Sequence, residues 1–224
     1  NGWYWEGAKW ERRNGRTGKA SWVDRSNQGH AIEVGYGLWR SRKFTATPSG
    51  LYRISYESKT GHKGYWAVLS YNEAGEELPA SPYSGILASA DYTSAEAVVL
   101  MPDDAVYSRM LLWPRDKPMR VDNLRLTPIT REAARAISDD LYKTLPQISY
   151  EAPEGRWEHL KRTHKLLAGG ETVRMMVIGD SVANDVTHSN FHLQVEAAYA
   201  DARIELFNKV GSGARPGAYL KEDK

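Results

Sequence analysis

Ser181 follows Val173-Arg174-Met175-Met176-Val177-Ile178, a short and largely apolar run, with only Gly179-Asp180 between them. Such a run suits a strand buried on both faces of a parallel sheet. A serine just past it is exposed where open α/β sheets place their ligands, outside the carboxyl ends of the strands. The helix expected next aims its N-terminal amides at the same place, where they favour developing negative charge. A second glycine loop, Gly211-Ser212-Gly213, follows the strand-like run 204–210 and can bring another backbone N–H to that mouth. A hydroxyl beside two such donors suits acyl transfer through a tetrahedral oxyanion, where each donor contributes roughly 3–4 kcal/mol in a serine hydrolase. Gly-Asp-Ser also serves as an ordinary strand-ending turn with a helix cap, and the tripeptide alone leaves both readings open.

Serine is a weak nucleophile at neutral pH unless a neighbouring base takes its proton. Asp185 and His188 have an Asp-x-x-His spacing. In a helix, however, His188 is displaced from Ser181 by ~10 Å along the axis, too far for the hydrogen bond that a base needs. His188 and His192 are therefore expected at a pocket rim or on the surface. His30 and His62 belong to loops or edges of a β region, and His159 and His164 to a helix. No pair has a zinc-like spacing with a third ligand, so no catalytic metal is expected. The sequence has no cysteine, which removes thiolate catalysis, thiolate metal sites and disulfides together.

The elements around the serine read as the start of an α/β domain over 173–224: strand, turn, a helix stripe at Phe191, Val195, Ala198 and Tyr199, strand, glycine loop. Before it, Ala134, Ile137, Leu141 and Leu145 form a stripe that Pro146 stops. Trp157, Leu160, His164 and Leu167 form another that ends at Gly169-Gly170. These two helices read as a packed connector over 128–172.

The texture is different over 1–127. Seven of the eight tryptophans lie there: Trp3, Trp5, Trp10, Trp22, Trp39, Trp66 and Trp113. Tyr52, Ile54 and Tyr56 alternate with Arg53, Ser55 and Glu57, and the run 65–71 alternates in the same way. Further strand-like runs cover 31–36, 95–101, 106–113 and 121–126. Turn signals such as Pro48-Ser49-Gly50, Asn72-Glu73-Ala74-Gly75 and Pro102-Asp103-Asp104 separate them. Several short strands at this spacing predict an antiparallel β-sandwich. Aromatics at alternating positions mostly pack a core. Exposed rings instead stack on the apolar faces of sugars, and Trp3, Trp5, Trp39 and Trp113 are the candidates for that role. The formal net charge of +2, with Lys and Arg scattered, excludes a phosphate-backbone footprint. No apolar run approaches the ~20 residues that cross a bilayer.

The stretch 177–185, Val-Ile-Gly-Asp-Ser-Val-Ala-Asn-Asp, resembles the first block of the SGNH (GDSL-type) hydrolases, in a variant similar to a bacterial subgroup. Asn208-Lys209-Val210-Gly211-Ser212-Gly213 resembles the second block. The resemblance covers about fifty residues and implies a flavodoxin-like α/β domain. It makes Ser181 the nucleophile and the amides of Ser181 and Gly213 the oxyanion donors, with Gly211 as the other registration. Asp180 and Asn184 would support the loop. The family's Asn-bearing third block and its terminal Asp-x-x-His do not occur in this sequence. The expectation is that they lie in a missing C-terminal part of the same polypeptide and that residues 1–224 alone are inactive.

Met119-Arg120-Val121-Asp122-Asn123-Leu124-Arg125-Leu126 resembles the last strand of galactose-binding-like jelly rolls used as carbohydrate-binding modules. That resemblance implies a carbohydrate partner, acylated where the hydrolase resemblance is added, and a structural calcium, for which Asp122 and Glu6 could supply oxygens. Together the resemblances imply a secreted or periplasmic bacterial serine esterase that deacylates a polysaccharide or oligosaccharide, with no nucleic-acid partner and no membrane span. The alternatives are a non-catalytic sugar-binding or structural module, and an acyl transferase on the same scaffold.

Overall fold

The computed structural model describes residues 19–25, 29–78, 81–146, 149–151 and 153–210. Trp3, Trp5, Glu6, Trp10, Gly211 and Gly213 lie outside them. The chain divides into two compact units, Asn1–Pro128 and Ile129–Lys224.

The first unit contains strands β1 (Lys19–Asp24), β2 (His30–Tyr36), β3 (Trp39–Arg40), β4 (Phe44–Thr45), β5 (Leu51–Thr60), β6 (Gly64–Tyr71), β7 (Tyr83–Ile86), β8 (Ser89–Leu100), β9 (Tyr107–Pro114) and β10 (Met119–Pro128). They form two antiparallel sheets. The first has the order β1-β2-β10-β5-β8, and the second the order β3-β9-β6-β7 with β4 also paired to β9. Most connections cross between the sheets, and the last strand inserts between β2 and β5. This is the strand order of a jelly-roll sandwich.

Period-two alternation builds the core, because successive side chains on a strand face opposite ways. On β5, Tyr52, Ile54 and Tyr56 are buried, and on β6 so are Trp66, Val68 and Ser70. All but Ser70 meet Val34, Met110, Leu112, Met119 and Val121 in one cluster. Burying each such aliphatic side chain contributes about 1.5–3 kcal/mol. The hydroxyls of Ser70 and Ser108 lie 2.9 Å apart, so each has a partner in the interior. Gly64 lets Met119 pack close to the backbone, since a Cβ would meet its Sδ at 2.5 Å.

The second unit contains α1 (Arg131–Thr144), α2 (Lys161–Ala168), β11 (Thr172–Gly179), α3 (Ser181–His188), α4 (Phe191–Ala198) and β12 (Arg203–Val210). β11 and β12 pair in parallel from Thr172↔Arg203 to Gly179↔Val210. Three sequence expectations change here. β11 is covered on one face only: Val173 is buried, whereas Met176 and Ile178 are 57 % and 56 % exposed. Secondly, α1 packs on α4, so it belongs to the α/β unit rather than standing apart as a connector. Thirdly, α2 starts only at Lys161; Trp157 precedes it in turns and stacks on His164 at 4.7 Å. No helix among the described residues is long and apolar enough to cross a membrane.

Candidate functional site

The solvent face of the second sheet gathers most of the described unit's outward aromatics. Tyr65, Ala67, Leu69 and Tyr71 point outward from β6, and Tyr107, Arg109, Leu111 and Trp113 from β9. The register pairs Tyr65 with Trp113 and Tyr71 with Tyr107. Tyr65 and Trp113 lie 5.8 Å apart, tilted by 38°, and Tyr71 and Tyr107 stack at 4.8 Å. β7 adds Tyr83, opposite Ala67, and Gly85, opposite Tyr65. Bulky and small residues therefore alternate across the strands, so Trp113, Tyr65 and Tyr83 stand above a floor of Ala67 and Gly85. Trp113 is 43 % exposed and Tyr83 40 %. Lys63 Nζ lies 5.2 Å and Arg115 Cζ 5.7 Å from the Tyr65 ring centre, and Lys43 Nζ lies 4.0 Å from that of Tyr107. Burial raises the Tyr71 phenol above its ordinary value, as does the Glu77 carboxylate that accepts its hydrogen bond; Arg40 and Arg109 oppose the shift.

Of the tryptophans named as sugar-stacking candidates, Trp113 lies on this face, and Trp3 and Trp5 lie outside the described residues. Trp39 is a correction. It is 2 % exposed, because its register partner on β9 is the inward-facing Leu112, and it belongs to the core. Sequence reasoning missed Tyr65, Tyr83, Tyr71 and Tyr107. Their alternation was visible, but only the strand order shows which phase faces solvent.

The outer face of the first sheet is ionic instead. Arg25 donates to Glu57 at 2.7 Å and to Asp122 at 2.5 Å, and its guanidinium lies 4.0 Å from the Tyr92 ring centre. Hydrogen bonds from Arg25 and then Asn123 hold the Glu57 carboxyl below its ordinary value. The second Asp122 oxygen accepts from the Asn123 N–H at 2.7 Å. Both oxygens of Asp122, which the sequence suggested as a calcium ligand, thus accept hydrogen bonds, and Glu6 lies outside the described residues. No cluster of three potential metal ligands occurs among the described residues.

In the second unit, Ser181 is the exposed first residue of α3, directly beyond the carboxyl end of β11. Asp180 caps α3 through its side chain, which accepts from the Val182 N–H at 3.0 Å. Gly179 is required by close approach: a Cβ would lie 2.6 Å from that of Ala183. Asn184 is buried, and its Oδ1 lies 3.0 Å from His188 Nε2 across one turn of helix. The segment 181–188 is helical, so His188 lies two turns from Ser181. His192 is also not at a rim: it is 1 % exposed inside the unit. Burial lowers its pKa to about 4; the Glu196 carboxylate opposes the shift and Arg131 adds to it.

No family model matches the chain, and neither does any curated protein. Among solved structures, the chain is similar to the enzymatically active domain of tailspike protein 4 of bacteriophage CBA120, at 8 % identity and a TM-score of 0.43 over 50 % of this chain and 18 % of that one. It is similar to the CBM22-1 xylan-binding domain from Paenibacillus barcinonensis Xyn10C, at 8 % identity and a TM-score of 0.41, over 56 % of this chain and 86 % of that one. A family 29 carbohydrate-binding module from Piromyces equi gives 14 % identity and a TM-score of 0.41, over 58 % of this chain and 82 % of that one. Likenesses this distant carry no functional argument, and the jelly-roll description rests on the strand order itself.

Proposed function

We propose that the sandwich is a glycan-binding module that holds a polysaccharide or oligosaccharide against the outer face of its second sheet. The observation that carries this reading is the group of exposed Trp113 and Tyr83 with half-buried Tyr65 above Ala67 and Gly85. Pyranose rings have apolar C–H faces, and an aromatic ring offers them a large contact area with little conformational entropy to lose. The rings stand on paired strands, so the face is rigid before ligand arrives, which lowers the ordering cost of binding. From Trp113 to Tyr107 the strand rise gives about 20 Å, the reach of an oligosaccharide rather than of one sugar. Affinity electrophoresis of the whole chain through gels of soluble polysaccharides tests the reading. Trp113→Ala should remove the retardation of the wild type, a loss on the order of 2 kcal/mol, without lowering the melting temperature. Unchanged retardation would end the reading.

A second reading is ester hydrolysis by Ser181. The observation that favours it is an exposed serine at a helix N-terminus, beside the carboxyl ends of two parallel strands. Ser181 would attack the acyl carbon while backbone amides stabilise the oxyanion, and water would then resolve the acyl-enzyme. Among the described residues no histidine stands next to Ser181, so the 224-residue chain should turn over p-nitrophenyl acetate very slowly. Any turnover must disappear in Ser181→Ala, and persistence there would place the nucleophile elsewhere. With an alcohol as acceptor in place of water, the same steps would give acyl transfer.

A further inference from the structure

We propose that the glycan held by the second sheet is acidic, carrying carboxylate or sulfate groups along its length; this rests on the glycan-binding reading above. The strands of the second sheet contain no Asp or Glu. Those of the first sheet contain Asp24, Glu33, Glu57, Asp91, Glu96 and Asp122. Most arginines of the first sheet pair with its own carboxylates, while its Lys59 and Arg125 form no ion pair among the described residues. On the first, Arg25 pairs with Glu57 and Asp122, Arg120 with Glu33 at 2.7 Å, and Arg53 with Glu96 at 3.9 Å. On the second, Arg40 and Arg109 occupy outward positions of β3 and β9, and Lys43, Lys63 and Arg115 flank the strand ends. Among the described residues, Arg40, Lys43, Lys63 and Arg115 have no carboxylate in ion-pair range. The carboxylates nearby stand in loops at the two ends, where Glu77 accepts from the Tyr71 hydroxyl and Asp116 lies 3.3 Å from His62.

The protein's net charge is only +2, so this face is positive because the strand acids lie on the other sheet rather than through a basic composition. The cations occur at both ends of the aromatic row and in its middle, near Tyr65, around Leu111 and Leu69, and at Tyr107. Such a series matches a polymer with a repeated negative charge better than a ligand with one anionic group. The placement of Lys63, Arg115 and Lys43 against tyrosine rings puts aromatic faces and cations within one sugar's reach of each other. An acidic sugar stacked on one ring would set its carboxylate or sulfate beside an ammonium or guanidinium, and guanidinium groups can take these anions in bidentate fashion.

The test is affinity electrophoresis and calorimetric titration of the whole chain with polygalacturonate and with carrageenan, against hydroxyethylcellulose and galactomannan as neutral polymers. Expected is binding to one or both acidic polymers that exceeds the neutral ones and weakens in 0.5 M salt, as screening requires. Polygalacturonate alone would assign carboxylate, and carrageenan alone sulfate. The double variant Arg40→Gln with Arg109→Gln should weaken that binding by about threefold to tenfold. The Lys versions of both should keep most of it, which separates charge from folding. Arg53→Gln, on the other sheet, should change nothing. Neutral polymers bound as well as acidic ones, with binding still lost in Trp113→Ala, would overturn the acidic assignment and leave glycan binding standing. Binding that survives both Trp113→Ala and the double variant but fails in Arg53→Gln would overturn both, as would no binding to any polymer.

Discussion

His192 and Glu196 occupy the interior of the second unit one helical turn apart, and they solve burial in opposite ways. Both His192 ring nitrogens are buried without a partner among the described residues, so the ring stays neutral at the cost of a lowered pKa of about 4. Glu196 is fully buried; burial pushes its carboxyl up, but the Ile204 N–H and the guanidiniums of Arg135 and Arg131 outweigh burial and hold it below its ordinary value. The sign of the histidine effect follows. The unfolded ring titrates near 6.5, so between pH 6.5 and 4 the unfolded chain takes up a proton that the folded one refuses. Stability is unaffected above this window and falls as pH drops through it, by up to about 3 kcal/mol. Calorimetric melts of the wild type should show the second unit losing stability from pH 7 to pH 4.5, and His192→Leu should flatten that dependence. An unchanged slope in His192→Leu would assign the proton to another group. Nothing in the sequence distinguished His192 from its neighbour His188, because the difference is one of enclosure rather than residue type.

At the scale of elements, the carboxylate of Glu196 joins three of them. Arg131 and Arg135, one turn apart on α1, donate to its two oxygens at 2.6 and 2.8 Å, and the backbone of β12 donates to it at 2.7 Å through Ile204. The α1 stripe read from the sequence is only partly a packing stripe: Ala134 is buried, but Leu141 is 47 % exposed. The docking of α1 on α4 thus depends on the ion pairs near its N-terminus more than on apolar contact along its length. Glu196→Ala would leave two cations without their anion and a buried strand N–H without an acceptor. A loss on the order of 3–5 kcal/mol is expected, read as a lower urea midpoint for the second unit. A shift below 1 kcal/mol would mean that water replaces the carboxylate there.

The whole molecule is two units with separate cores. The sandwich completes its strand order within residues 19–128 and closes its own hydrophobic cluster. Residues 1–128 expressed alone should therefore give β-type circular dichroism and one cooperative melt, matching one of two transitions in the full chain. A non-cooperative product would show that the sandwich needs the second unit. Within this fragment, Trp39→Ala should cost about 3–5 kcal/mol as a large-to-small core change, whereas Trp113→Ala should cost little stability because its ring already faces water.

Alternation of residue types determined much of this by itself. The strands β5 and β6 follow from period-two runs, because a strand with one buried face must repeat every second residue, and β2, β8, β9 and β10 from strand-like runs bounded by turn signals. The short β3, β4 and β7 carry too few residues to show a period. Gly179-Asp180-Ser181 likewise shows its strand end and helix cap locally, since the cap is formed between Asp180 and Val182. Alternation defines two faces without saying which one meets the other sheet. Trp39 and Trp113 are alike as residue types, and only the pairing of β3 and β9 puts one inside and the other out. The same holds for charge. The sequence scatters acids and bases along the chain, and the gathering of the strand acids on one sheet arises only when strands distant in sequence become neighbours. Side-chain contacts across strands depend on register and strand order, and these are settled by packing two whole sheets rather than by any local run of residues.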